Sequence, residues 1–284
     1  MLLGIPWFDS RSEMKLIFFI LLFIISGTGF SQISSPGLGK ANTASWFAFG
    51  IRQVLHPTIK IQSFTYIGFG RTSNLTDADP FRKPAIFVIN QEFYHQFHKH
   101  WQYSGAISYR RQNEYDNSNI KLQEFPKIIQ EFRTYGRLSF ITEKSPFKFV
   151  ATYRQEFRSF FNDHFRFAEE DFQFRSRFRT QFVFSLNKQK TLKLSLSAEA
   201  LFSTFHNSES GKWSSLDYKE SRFCLYFAID PVKFPVIFSF GYMNNLLGTG
   251  PGLNDVHYFT ADVIWENPFG NLKKKKPKPV EYFE

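Results

Sequence analysis

Between Asp171 and Phe184 the chain sets Phe172, Phe174, Phe178, Phe182 and Phe184 on alternate positions, with Asp171, Gln173, Arg175, Arg177, Arg179 and Gln181 between them. An extended strand turns successive side chains to opposite faces, so a period of two predicts one apolar face and one strongly charged face. The run is more than twice the five or six residues of an average soluble strand. The pattern returns in Phe147, Phe149, Ala151, Tyr153 and Phe157 against Lys148, Arg154, Glu156 and Arg158. It returns again in Leu192, Leu194, Leu196 and Ala198 against Lys193, Ser195, Ser197 and Glu199. A soluble β-sandwich or periplasmic β-domain, the competing reading, would hide its apolar faces and give the others to water, where dense arginine ladders have no task. A sheet closed on itself in lipid accounts for both faces. Hydrocarbon accepts the Phe/Leu side, every backbone group is paired by the next strand, and the charged side encloses a lumen.

The same signal predicts strands near 44–55, 58–69, 85–97, 101–111, 127–141, 146–158, 171–186, 190–204, 217–229, 234–244 and 255–266. Connections alternate between short turns and long loops rich in Asn, Asp, Ser, Gly and Pro at 70–84, 112–126, 159–170, 205–216 and 245–254. That is the layout of an all-β, up-and-down antiparallel transmembrane barrel. Single-chain bacterial barrels have an even number of strands, whereas the runs above number eleven. With long loops extracellular, the 44–55 strand runs downward, so the chain must first rise. Either 34–43 is a poor first strand, or it climbs through the lumen, or one strand is split or missed. Twelve strands are expected, with ten as the runner-up. Trp46, Tyr66, Trp101, Tyr103, Tyr242, Tyr258 and Trp265, near strand ends, are expected in the interfacial aromatic girdles.

The remaining composition narrows the class. Aromatic residues at 19% exclude disorder, and one cysteine, Cys224, excludes a disulfide framework and a multi-cysteine zinc site. The net charge of +10 owes five charges to Lys273–Lys276 and Lys278, so nucleic acid is not called for. Met14-Lys15, an apolar run over 16–25 and the small residues before Gln32 follow the order of a secretory signal peptide. The run is shorter than the ~20 residues of a transmembrane anchor. The expected division is a signal peptide over 1–31, with an over-called start or a long leader before Met14, a short segment 32–43, a barrel 44–269 and a basic periplasmic tail 270–284. The tail reads as a solvated extension or a contact for anionic headgroups or peptidoglycan-associated partners.

Trp46-Phe47-Ala48-Phe49-Gly50, the segment from Phe132 to Leu138, Tyr153-Arg154-Gln155-Glu156-Phe157-Arg158 and Phe240-Gly241-Tyr242-Met243-Asn244 together resemble the outer-membrane proteins grouped as the domain of unknown function 2490, common in Bacteroidota. The resemblance covers about residues 44–266 and implies an outer-membrane barrel of uncharacterised role. The chain departs from the usual barrel closure on a terminal aromatic, because Trp265 and Phe269 are followed by the basic tail.

The candidate site is the inward ladder. Arg110, Glu131, Arg133, Arg137, Arg154, Glu156, Arg158, Asp171, Arg175, Arg177, Arg179, Glu199, Glu220 and Arg222 are expected to line the lumen, with Lys60, Lys148, Lys193 and Glu92 on the same register. Twelve cations against six carboxylates leave an excess of six positive charges. Two readings stand: a paired network that fills and braces the barrel, or a narrow water-filled path favouring anions. Three smaller constellations carry less. His95, His98 and His100 fall at a solvated turn; Gly248–Gly252 has no following helix or Lys-Ser/Thr; and His206 with Ser208 or Ser210 lacks a third group to orient it. Cys224 reads as an isolated thiol facing the lumen.

The chain is therefore read as a non-enzymatic outer-membrane β-barrel of a Gram-negative bacterium, without cofactor or metal. Its role is a porin-like narrow pore for small or anionic solutes, or a structural one. Its partners are outer-membrane lipid, lipopolysaccharide and the barrel-assembly machinery during insertion. The alternatives are a membrane-embedded lipid hydrolase or acyltransferase, and a barrel subunit of a secretion or uptake complex.

Overall fold

Alternation of apolar and charged residues places every other side chain in a different environment only if the backbone is extended, and the alternating runs do form strands. The structure is a computed structural model and describes residues 33, 35–74, 76–115 and 126–270. The expected signal peptide and nearly all of the basic tail lie outside the described residues. The strands are β1 (Thr43–His56), β2 (Ile61–Thr72), β3 (Lys83–His95), β4 (Trp101–Glu114), β5 (Lys127–Lys144), β6 (Phe147–Phe161), β7 (Phe167–Ser185), β8 (Leu192–Asn207), β9 (Lys212–Trp213), β10 (Asp217–Ile229), β11 (Val236–Leu247) and β12 (Asn254–Glu266). Some loops are shorter than expected. β6 and β7 stay paired as far as Phe161 opposite Phe167, whose rings stack with centroids 4.8 Å apart, so only 162–166 remain as a turn.

All twelve strands belong to one sheet that closes into a barrel, with β8 paired to β10 and β12 to β1. β9 is a two-residue extension paired only with the end of β8, so eleven strands make the wall. A ring with an odd number of strands cannot alternate direction throughout. The one parallel seam is β1·β12, running from Thr43 opposite His257 to Arg52 opposite Glu266.

The seam is explained by the residues before β1. Of the three ways for the chain to rise, it takes the lumen: Ile33, Leu38 and Ala41 are buried inside the barrel. With no strand on either side, the segment's backbone groups take lumen side chains as partners, as buried polar groups must. The Leu38 N–H donates to the Tyr258 hydroxyl (2.9 Å), and the Ser35 and Gly37 carbonyls accept from Arg222 (3.0 Å) and Arg110 (2.7 Å). The β1–β3 and β11–β12 side of the lumen is apolar, packing Trp46, Phe64, Val88, Met243, Val256 and Ile264 with Ile33 and Leu38. Two glycines make the room. A Cβ at Gly68 would stand 2.3 Å from the Trp46 ring, and one at Gly70 would stand 2.9 Å from Leu38.

The outer surface carries the other half of the alternation, including Phe69, Ile107, Phe132, Phe178, Phe182, Phe223 and Phe259, all exposed. The girdle expectation holds in part. Trp101, Tyr103, Tyr242 and Trp265 are exposed on this surface, but Trp46 and Tyr258 are buried in the lumen and Tyr66 packs against the same apolar cluster. Position along a strand sets a residue's height, whereas parity sets its face. Trp46 shares parity with Ala44, Ala48 and Arg52, which are all buried inside.

Candidate functional site

The inward positions of β4 to β8 and β10 build a charged sector opposite the apolar one. It contains nine guanidinium groups, those of Arg110, Arg133, Arg137, Arg154, Arg158, Arg175, Arg177, Arg179 and Arg222. Strand register places several of them directly across from one another: Arg133 faces Arg158, Arg137 faces Arg154, and Arg154 faces Arg177. Like charges so placed repel, and the carboxylates sit where they separate them.

Glu131 accepts a two-pronged contact from Arg158 (2.7 and 2.6 Å) and pairs with Arg133 (2.7 Å) and, farther off, Arg110 (3.8 Å). The bidentate fork is the stronger form of this interaction. Glu156, fully buried, lies 2.8 Å from Arg154, 2.7 Å from Arg177 and 3.6 Å from Arg133. Its oxygens form no aligned hydrogen bond, so these contacts are ionic rather than directional. Glu199 joins Arg177 (3.1 Å) to Arg222 (3.7 Å), and Glu220 joins Arg222 (2.7 Å) to Arg175 (3.5 Å). Glu92 pairs with Arg137 (3.2 Å) and accepts from the Tyr135 hydroxyl (2.8 Å). The Tyr135 ring eases the Arg137–Arg154 opposition, with Arg154 over its centroid at 3.5 Å and Arg137 at 5.2 Å.

Twelve of the fourteen expected lumen residues thus belong to this arrangement of ion pairs. Arg179 stands opposite Glu199 and donates to Ser197 (3.3 Å). Asp171 is set apart at the long-loop rim, paired with His206 at 2.7 Å. That contact corrects one expectation: a third group does orient His206. Asp171 lies within reach because the β7–β8 register shifts between Glu170 and Phe172. The Ser208 hydroxyl is directed elsewhere, to the carbonyls of Ala168 (3.3 Å) and Glu169 (3.0 Å). Lys60 is a second correction. It lies in the β1–β2 turn with φ 54°, because Pro57 and Thr58 open the turn before the strand resumes at Ile61. Cys224 lies against the apolar cluster, half-buried. His95 contacts the Tyr103 hydroxyl and His100 the Ile141 carbonyl, both at 2.9 Å.

Sequence reasoning missed Tyr135 and Arg52, although both were accessible to parity: Tyr135 stands between Arg133 and Arg137 on one face, and Arg52 pairs with Glu266 across the seam at 2.9 Å. It could not place the Ser35 and Gly37 carbonyls as partners of Arg222 and Arg110, since that segment has no periodicity to read.

The five carboxylates Glu92, Glu131, Glu156, Glu199 and Glu220 leave four of the nine guanidinium charges uncompensated within the sector. Among the described residues, open space beside the N-terminal segment includes a cavity of about 230 Å³ toward the long loops and one of about 40 Å³ near Lys193 and Tyr226. The arrangement can hold its own charges in place and can attract an anion. No family model matches the chain and no curated protein is similar to it.

Proposed function

We propose that the chain is a non-enzymatic integral outer-membrane β-barrel of a Gram-negative bacterium, exported by its N-terminal signal peptide. Its role on this reading is that of an envelope barrel whose lumen is occupied by its own chain, leaving at most a narrow path for small anions. The observation that carries the reading is the division of the sheet: exposed aromatic side chains outside, ion pairs and a threaded segment inside. Dimensions support it. From Phe174 to Phe184 the outward face of β7 covers ten residue steps, about 34 Å along the strand and roughly 26 Å along the axis at a typical tilt. The apolar band of known barrels is about 25 Å tall. Membership of the outer-membrane proteins of domain of unknown function 2490, and lipid, lipopolysaccharide and the assembly machinery as partners, belong to the same proposal.

Single-channel recording of the refolded protein in a planar bilayer tests the role. The full chain is expected to give no large open state, and removal of residues 33–42 is expected to open an anion-selective conductance. A wide, stable conductance from the full chain would overturn the occupied lumen. A second reading, a lipid hydrolase or acyltransferase at the outer rim, is favoured by the Asp171–His206 pair alone. Loss of lipid turnover on changing His206→Ala would decide for it.

A further inference from the structure

The larger of these two cavities has a mainly cationic lining. Arg110, Arg158, Arg175 and Lys219 face it, together with the backbone of the N-terminal segment at Gly37 and Gly39 and a single carboxylate, Glu220. Two of the arginines are fixed in place: Arg158 grips Glu131 with both prongs, and Arg110 donates to the Gly37 carbonyl. Arg175 is not. Among the described residues its contact with a carboxylate is the 3.5 Å approach to Glu220, and its Nε, like that of Arg110 beside it, is buried without an aligned hydrogen bond. Glu220 in turn is held mainly by others, by Arg222 at 2.7 Å and by the Asn245 amide at 3.0 Å. A buried donor without a partner beside an excess of cations is the arrangement expected of an anion site.

The one carboxylate narrows the anion. A space of about 230 Å³ holds a tetrahedral oxyanion with waters around it. A carboxylate in an anion site repels an ion with no proton to give, but it accepts a hydrogen bond from one that has. We propose that this cavity binds hydrogen phosphate, free or as the protonated phosphoryl end of a small molecule, and discriminates against sulfate. Arg175 and Lys219 supply charge and donors, and Glu220 accepts the P–OH proton, which sulfate lacks at neutral pH. The proposal deepens the anion-path reading by naming the anion and where it stops. It is separable from that reading, because binding needs no conductance.

Calorimetric titration of the full refolded chain in zwitterionic detergent, with inorganic phosphate and with sulfate at matched ionic strength, tests it. Phosphate is expected to bind at least tenfold more tightly than sulfate. Arg175→Gln is expected to weaken phosphate at least tenfold, and Glu220→Gln to narrow the gap between the two anions. Should Arg175→Gln fail to fold, Lys219→Gln, at a side chain one-third exposed, carries the same expectation. Equal binding of both anions, no binding of phosphate, or phosphate binding unchanged in Arg175→Gln or Lys219→Gln overturns the proposal. Glycerol 3-phosphate and vesicles with anionic phospholipid separate the source. Displacement of bound phosphate by glycerol 3-phosphate supports the phosphoryl-end form and its absence the free-phosphate form, whereas displacement by the phosphodiester lipid, which has no P–OH proton to give, overturns the proposal.

Discussion

Glu156 is where the paired-network account of the lumen is most exposed to test. It is fully buried and its carboxylate is shared by Arg154 and Arg177, at 2.8 and 2.7 Å, and by Arg133 at 3.6 Å. Glu156→Gln keeps the volume and removes the charge. At an effective dielectric near 20, a cation about 4 Å away contributes roughly 4 kcal/mol, so the three together contribute on the order of 12 kcal/mol gross. Most of this is offset by the desolvation that the native carboxylate suffers and the amide avoids. Removing one member of a buried pair has a net cost of about 3–5 kcal/mol; Arg133 and Arg177 keep Glu131 and Glu199, while Arg154 is left without its carboxylate, which places this site within that range. The assay is equilibrium urea unfolding of the refolded protein in vesicles, followed by tryptophan fluorescence. Adding Arg154→Met to Glu156→Gln should return about 1 kcal/mol or more, because among the described residues the ion pair of Arg154 is the one with Glu156, and the cation left uncompensated leaves with it. A loss below about 0.5 kcal/mol for Glu156→Gln would refute the reasoning, since it would place these charges in well-screened water.

Two further outcomes follow from the face assignment and from the loop chemistry. Phe178, 54% exposed and 5.0 Å from the Tyr153 ring on the outer wall, should lose about 2–4 kcal/mol when changed to Arg, whereas Arg177→Phe should instead leave Glu156 and Glu199 short of a partner; equal tolerance of both in the same unfolding assay contradicts the faces. In the 73–82 loop, desolvation pushes the Asp77 carboxyl up, but hydrogen bonds from the Asn74 amide side chain (2.9 Å) and main chain (3.1 Å) and from the Asp79 N–H (3.3 Å), with Arg82 at 3.1 Å, outweigh it and hold the group below its ordinary value. A lowered folded pKa stabilises the loop at neutral pH and ceases to do so as pH falls through the carboxylate range, so protease cleavage within 73–82 should accelerate toward about pH 3; an unchanged acceleration in Asp77→Asn would show that another group is responsible.

How much of this was legible in the chain depends on which physical signal each part leaves. β7 was legible at once because Phe and Arg alternate over its length, and the same parity places Arg154 and Arg158 with Glu156 inside the barrel. Trp46 misleads because its height along the strand suits a girdle while its parity sets it inside. The rise before β1 is, from the sequence, one of three routes. A segment that runs through a lumen is stabilised by contacts from distant strands, such as Leu38 with Tyr258 and Ser35 with Arg222, and these leave no local pattern. The odd ring follows from that rise: the alternating runs number eleven, as the wall does, and the even-number rule alone argues for a twelfth. The Asp171–His206 pair was missed for a related reason: a register shift at Glu170/Phe172 brings them together, and a shift is a property of two strands, not of either sequence.

On the proposed location, the phenylalanine side of the sheet meets acyl chains while the arginine side encloses the lumen. Nitroxide labels placed one at a time from 172 to 182 in the protein refolded into vesicles, read for collision with oxygen and with a water-soluble nickel chelate, test it most directly. Oxygen access should rise at the even positions that carry Phe174, Phe178 and Phe182 and fall at Gln173, Arg175 and Arg177 between them. Uniform access along the strand, or even positions shielded from oxygen, would contradict it.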